Sequence, residues 1–473
     1  MPSDHIAERL RQLQAQDLPT HGGRTLAYVY DSGLGDVDEV GRQALAMFAS
    51  SNGLDPTVFP SLLQMERDLV AFARSLVDGP GEAVGTVTSG GTESILLAVQ
   101  AARDAAPHVQ KAAMIVPSTI HAAFAKAAHY FGVEQIKVDV DPVTFKAVPD
   151  AMETALMQHR ERVVLMAASA PSYAHGVIDP IARLAAVAAH TQIRFHVDAC
   201  IGGWVLPWAE RAGLVPDPWD FRVEGVTSIS VDLHKYAYTP KGASLLLHRS
   251  PELRRSQFFA CADWPGYTML NSTMQSTKSG GPLAAAWAVV HSIGHDGYAR
   301  LAERSLRQTQ ELARGIDAVD GLQVMVRPEA TLVAARSDDR CDVFTVADRM
   351  AEHGWYVQPQ MSSTGSPASL HMSVSAATDV GAFLEALTES VAQAISSGPI
   401  QIPSQLADAV AAMDAGPIDD ATFDALVSLA GLTGQDGHVA VPDQMAPINA
   451  LLDAAPARLR ETLLTAFLDR LTR

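Results

Sequence analysis

Cysteine, lysine and long apolar runs are all scarce in this chain. Three cysteines, Cys200, Cys261 and Cys341, stand far apart among 473 residues. They form no C-x-x-C pair, which excludes a disulfide framework and fits a reducing compartment. No stretch approaches the roughly 20 apolar residues that a membrane helix needs, so no membrane span is expected. The N-terminal MPSDHIAERLRQLQAQ is polar and helical in pattern, without the apolar segment of a secretion signal, and a cytoplasmic location is expected. Positive charge is also short: 35 Lys and Arg stand against 53 Asp and Glu, a formal net charge of -18. With no basic run carrying interleaved aromatics, that balance argues against a nucleic-acid or anionic-membrane partner. An anionic ligand would need a local positive site.

What is present is an ordinary globular composition, 48% hydrophobic and 19% charged, in a chain long enough for a large core and more than one lobe. From about Val84 short apolar runs alternate with Ala-rich helical stretches. AVGTVTS, AAMIVP, QIKVDV, RVVLMAAS, QIRFHVDA, SISVDL and ASLLLHR read as strands, and ESILLAVQAARDAA and DPIARLAAVAAHT as helices between them. That alternation predicts an α/β fold with a mostly parallel sheet covered on both faces. Residues 1–75 read as helices and loops, forming an N-terminal segment and dimer arm, and 76–290 as the large domain. Residues 291–398 mix strands such as LQVMVR and TLVAARS with the helix VFTVADRMAEHG, predicting a small α+β domain. After a break at Pro399 and Pro403, residues 404–473 show helical periodicity, as in APINALLDAAPARLRETLLTAFLDRL.

In sheets of this kind ligands sit beyond the carboxyl ends of the strands. Ser89-Gly90-Gly91-Thr92-Glu93-Ser94 follows the first strand and opens a helix, offering backbone N–H groups to a phosphate. A plain chain reversal is the competing reading. The turn lacks the Lys of a P-loop, which disfavours a nucleotide site. A second strand ends in His196-Val197-Asp198-Ala199-Cys200. A carboxylate there needs a cationic partner, such as the pyridinium nitrogen of pyridoxal 5'-phosphate (PLP), or else caps a turn. A third ends in Asp232-Leu233-His234-Lys235. Lysine is rare, at positions 111, 126, 137, 146, 235, 241 and 278 only. One placed at the end of an apolar strand can be desolvated, lowering its pKa and suiting it to a Schiff base. A solvated surface lysine is the alternative, and three ligand-type elements in order along one sheet weigh against it.

These segments carry a resemblance. VTSGGTESILLAVQAARD, TIHAAFAKAAHYFGV, SAPSYAHGVIDPIARLA, HVDACIGGW and SISVDLHKYAYTPKGASLLL, in that order, resemble the sphingosine-1-phosphate lyase branch of the PLP-dependent group II decarboxylases. Weaker similarity runs from about Thr20 to about Gln393. The resemblance implies a fold-type I homodimer with active sites at the subunit interface. It implies that Lys235 carries PLP, that Asp198 pairs with the ring nitrogen and that His121 stacks on the ring. Gly91 and Thr92, with His234, would hold the phosphate, Ser169 would lie near the ring hydroxyl, and Cys200 would pack under the ring. Gly280 and Gly281 would form the loop by which a neighbouring subunit approaches the phosphate. Lys241 would assist proton transfers, and Tyr30 and Asn52 match substrate-side positions.

The match departs from the family at Ser51-Asn52-Gly53-Leu54-Asp55-Pro56. Gly53 replaces a proline and Asp55 a substrate-side histidine, and a carboxylate there would repel a substrate phosphate. Lys278 stands where the lyases carry arginine. The expected activity is therefore PLP-dependent carbon–carbon cleavage of a small amino acid or amino alcohol. α-Decarboxylation of an amino acid is placed first and lyase-type retro-aldol cleavage second. Transamination and a non-catalytic PLP-binding protein follow.

Overall fold

The computed structural model describes residues 2–214, 216–402, 418–429 and 444–472. They group into two compact units, the first of residues 1–313, 326–333 and 373–379, the second of 314–325, 334–372 and 380–473.

The first unit is built on a seven-stranded sheet. Its strands are β1 (Val84–Thr88), β2 (Ala113–Pro117), β3 (Glu134–Val138), β4 (Val163–Ser169), β5 (Arg194–Asp198), β6 (Ser228–Asp232) and β7 (Ser244–His248), in the order β1-β7-β6-β5-β4-β2-β3. Neighbours from β6 to β3 pair in parallel, and β7 runs antiparallel to both β1 and β6. The strands β2, β4, β6 and β7 are buried along their whole length. That is the reason these segments read as continuous apolar runs rather than as alternating ones. Helices Gly91–Asp104, Ala123–Phe131, Pro149–His159 and Ile181–His190 connect the parallel strands. Phe195, Trp204, Trp219 and Tyr298 are among the largest fully buried side chains of this unit.

Register places the polar residues of the strand ends in rows. Ser169 pairs with Asp198, and Asp198 with Ser230. Thr88 and Asp232 both pair with Ser244. The side chains singled out at separate strand ends thus meet along one edge of one sheet.

The helix Gly280–Ile316 runs through position 290, where the sequence pattern suggested a boundary. Its helical backbone is interrupted at Gly294, with φ 62 and ψ 176, a conformation that glycine adopts without steric cost. The second unit carries a four-stranded sheet of Leu322–Val324, Leu332–Ser337, Ser369–Ser373 and Gln358–Gln360 in that order. Asp342 caps its helix Val343–Glu352, its side chain accepting the Thr345 N–H. Asp348 on that helix accepts the N–H groups of Met445 and Ala446, tying down the start of the helix Ala446–Ala454. The run APINALLDAAPARLRETLLTAFLDRL forms two helices, Ala446–Ala454 and Ala457–Leu471. Ala455 between them is extended, with ψ 141, as a residue before proline prefers. Residues 403–417 and 430–443 of the expected helical tail, Pro403 among them, lie outside the described residues.

Candidate active site

A cavity of about 610 Å³ opens beyond the carboxyl ends of β4, β5 and β6. Among the residues lining it are Gly91, Thr92, His121, Asp198, Cys200, His234 and Lys235. Seven residues expected from the sequence to surround the cofactor therefore meet around one space.

Asp198 ends β5 and is 8% exposed. Its Oδ1 accepts the Cys200 N–H at 3.2 Å and the Ser230 hydroxyl at 3.3 Å. Lys235 follows β6, and its ammonium lies 3.1 Å from Oδ2 of Asp232. Burial alone would lower the Lys235 pKa, as the sequence reading expected. Burial is the largest single effect, but the Asp232 carboxylate together with Tyr30, Cys200 and Asp198 outweighs it, and the ammonium is raised well above the ordinary lysine range. Burial likewise pushes Asp232 upward, but the Lys235 charge, helped by His234 and by the Ser244 hydroxyl, brings it below the usual carboxylate value. His121 accepts the Ala123 N–H on Nδ1 at 3.2 Å, so its neutral ring carries the proton on Nε2. His234 is held down by burial, against the pull of Asp232.

The Gly91 position explains the glycine pair. A Cβ there would lie 2.7 Å from Asp232 Oδ1 and 2.8 Å from Cys200 Sγ, so a side chain would fill the floor of the cavity. Glu93, one turn on, accepts the Ser89 N–H at 2.6 Å and the Met274 N–H at 2.8 Å, fixing the loop before the helix. This leaves the first N–H groups of the helix facing the cavity mouth, suited to an anion. A cradle without side chains, a buried lysine and a buried carboxylate on a separate strand fit PLP.

The other expected residues lie outside the lining. Ser169 is buried beside Asp198, and its N–H donates to Asp179 at 2.9 Å. Tyr30 packs edge-on against Tyr236, with centroids 4.9 Å apart. Its phenol is raised by burial, opposed by the charge of Lys235. The Lys241 ammonium donates to the Tyr28 carbonyl at 2.7 Å and the His234 carbonyl at 3.2 Å. Burial, with the nearby Lys235 charge, lowers it to about 8. Asn52 bridges to Ser279, and Gly280 donates its N–H to the Ser51 carbonyl at 2.9 Å. Asn52 and Gly280 thus lie side by side, and none of Asn52, Asp55, Gly280 and Gly281 lines this cavity. Asp55 is exposed and accepts both the N–H and the hydroxyl of Thr57. Those bonds are the main reason its pKa is lowered.

Sequence reasoning gave Asp232 no role, although an acid three residues before a strand-end lysine is a readable signal for an ion pair. Tyr173, Met274 and Gln275 also line the cavity. Tyr173 lies in the segment SAPSYAHGVIDPIARLA that carries the resemblance, whereas Met274 and Gln275 come from a loop without a pattern to single them out.

Residues 30–337, more than half of the chain, match the family model described as "Pyridoxal-dependent decarboxylase conserved domain". The chain belongs to this family. It is a pyridoxal-dependent enzyme of fold type I, with PLP as its cofactor. Residues 404–470 match a second model, "Pyridoxal-dependent enzyme, C-terminal putative HTH domain". Among curated members, the sphingosine-1-phosphate lyase of Dictyostelium discoideum is 37% identical over 353 residues, covering 74% of this chain and 65% of that protein. The chain therefore spans less than two thirds of that relative. A probable L-tyrosine/L-aspartate decarboxylase of Methanothrix thermoacetophila is 31% identical over 377 residues, covering 79% of this chain and 90% of that one. Among solved structures, a sphingosine-1-phosphate lyase of Burkholderia pseudomallei superposes with a TM-score of 0.77 at 33% identity, covering 84% of this chain and 92% of that one.

Proposed function

We propose that the protein is a PLP-dependent carbon–carbon lyase that cleaves a phosphorylated or free amino alcohol to an aldehyde, in the manner of the sphingosine-1-phosphate lyases. The observation that carries this reading is the gathering of Lys235, Asp198 and His121 around one cavity, in a chain at 37% identity to a lyase and 31% to a decarboxylase. The order expected from the sequence is thereby reversed. Decarboxylation stands first in the sequence reading because Asp55 replaces the lyase-type histidine and the wider superfamily decarboxylates amino acids, and the higher identity to lyases weighs against it. Decarboxylation of an amino acid remains the second reading, supported by the archaeal relative.

When bound, PLP supplies an attachment point for the substrate amine and an electron sink. Lys235 holds the cofactor, and Asp232 sets the protonation of its amine. Asp198 would partner the ring nitrogen, and His121 and Cys200 would flank the ring. Gly91, Thr92 and His234 would hold the phosphate, with Ser169 beside Asp198. Retro-aldol cleavage needs a group that takes the proton of the β-hydroxyl. Lys241, lowered to about 8, is suited to hold and release a proton near neutral pH, with Tyr30 beside it. The cavity's apolar wall, Ile95, Leu96, Phe131 and Met274, suits a hydrocarbon portion. We further propose a homodimer in cytoplasm, in which a second copy supplies Asn52, Asp55, Gly280 and Gly281.

The test is mass spectrometry of the PLP-loaded protein with a mixed panel of amino acids and phosphorylated or free amino alcohols. A new aldehyde, absent with Lys235→Ala, is the expected result. An amine formed with loss of CO2 would replace this reading by decarboxylation.

A further inference from the structure

Behind Asp198, away from the cavity, lies a chain of buried polar groups that the proposed reaction does not use. His196 is two residues before Asp198 on β5 and is 0% exposed, as is Ser230 on β6. Nε2 of His196 lies 3.2 Å from the Ser230 hydroxyl, which lies 3.3 Å from Asp198 Oδ1. The Cys200 thiol donates to the same hydroxyl at 3.4 Å, and Nδ1 of His196 lies 2.8 Å from the Ser228 hydroxyl. Among the described residues no hydrogen bond falls on Asp198 Oδ2.

Counting donors fixes the direction of this chain. A serine hydroxyl has one proton to give and two lone pairs. Ser230 has three neighbours, and only one of them, Asp198, is without a proton to offer. All three contacts are satisfied when Ser230 donates to Asp198 and accepts from the Cys200 thiol and from an Nε2–H of His196. The Ser228 hydroxyl then donates to Nδ1. The opposite tautomer would turn the Ser230 proton toward His196 and set its lone pair against Asp198. Both flanking groups are in the state this requires. Burial raises the Cys200 thiol well above its ordinary value, with Asp198 and Asp232 adding to the shift. Burial lowers His196 to about 4, against a weak pull from Asp198, so its ring is neutral. The other groups acting on this cluster are Asp232 and Lys235 beside Cys200, and His248 near His196; burial brings His248 down to about 3. We propose that Ser230 and His196 are positioning residues for Asp198. They occupy Oδ1 through a directed relay and leave Oδ2 to partner the cofactor's ring nitrogen.

The relay concerns the cofactor alone, so its test is independent of which bond the enzyme breaks in a substrate. Full-length protein is loaded with PLP carrying ¹⁵N at the ring nitrogen, and the ¹⁵N chemical shift reports whether that nitrogen is protonated. Cofactor affinity is read by absorbance titration. In Ser230→Ala, His196 and the Cys200 thiol lose their acceptor, and Asp198 Oδ1 keeps only the Cys200 N–H of its two hydrogen bonds, so the carboxylate is held less firmly. The signal should move toward unprotonated pyridine, and the PLP Kd should rise about tenfold, the size of one hydrogen bond to a charged group. His196→Phe should move the signal the same way, while His196→Gln, which keeps a donor, should stay near wild type. A merely structural role would lower the melting temperature of these variants and leave the signal in place. A wild-type signal and Kd in Ser230→Ala would overturn the proposal. If that variant does not fold, identical signals in His196→Phe and His196→Gln would do so.

Discussion

Lys235 stands between two opposing effects, and the magnitudes decide which prevails. Desolvating an ammonium favours the neutral amine, but Asp232 lies 3.1 Å away and is itself 2% exposed in its side chain. At that separation in a poorly solvated site its attraction, added to those of Tyr30, Cys200 and Asp198, exceeds the desolvation of a lysine that still keeps 19% of its side chain accessible. The pair therefore stabilises the protein before any cofactor arrives. Asp232 is below its ordinary 3.8, so its contribution is present above that value and is lost as pH falls through the lower folded value. Lys235 is above its ordinary 10.5, so its contribution is complete below that value and is lost as pH rises through the higher folded one. Between about pH 5 and about pH 9 the pair is intact. Asp232→Asn should then cost cofactor-free protein about 3 kcal/mol, the usual penalty for stranding one member of a buried pair. Urea melts should show the full gap from wild type at pH 5 and 7 and a narrower one at pH 9, where burial lets the unpaired Lys235 shed its proton. No gap at pH 5 and 7 would mean that Asp232 is not the partner that sets Lys235.

At the scale of elements, the decisive feature is how the helix Gly91–Asp104 enters the site. Its first residue is pressed against Asp232 and Cys200. A methyl group at Gly91 would displace one of them or occupy the cofactor's space. Gly91→Ala should raise the PLP Kd at least tenfold while costing about 1–3 kcal/mol of stability, the range for overpacking a tight site. Absorbance titration and thermal melts read the two effects separately, and an unchanged Kd would remove the helix start from the phosphate site. This element also shows what was legible beforehand. The seven strands of the large sheet could be read because a parallel sheet covered on both faces needs unbroken apolar runs, and AAMIVP and RVVLMAAS supply them. The Gly-Gly turn could be read as a phosphate cradle only once the order of Asp198 and Lys235 along the sheet was noticed. The antiparallel placement of β7 between β1 and β6 was not legible, because ASLLLHR is an apolar run like those of the parallel strands. Nor was the network joining Ser230 to His196, since register between strands brings together residues 34 apart. The break at Ala455 was overlooked because helical periodicity continues across Pro456 and hides it.

At the scale of the whole molecule, the cavity of one chain gathers the residues proposed to hold the cofactor and none of those proposed to come from a second copy. Gly53 donates its N–H to the Lys278 carbonyl at 2.7 Å, and Lys278 pairs with Glu66 at 2.9 Å. The segments Ser51–Asp55 and Lys278–Gly281 are thereby fastened to one another, and neither lines the cavity of its own chain. Near them the strands Phe259–Cys261 and Met269–Asn271 leave Phe258, Phe259, Trp264, Tyr267 and Leu270 exposed. Clustered apolar surface of that kind is characteristic of an interface. A two-fold dimer offers the same patch from both copies, and each copy would complete the other's site. Complementation tests this directly. Lys235→Ala leaves a chain unable to hold cofactor, and Asn52→Ala leaves one unable to serve its neighbour. Each alone should be nearly inactive. After mixing, denaturation and refolding in equal amounts, about half of the dimers are mixed, and each mixed dimer carries one site with both defects and one with neither. Activity should therefore return to about a quarter of wild type. If each chain instead used its own Asn52, no mixture of the two variants would exceed the activity of its components.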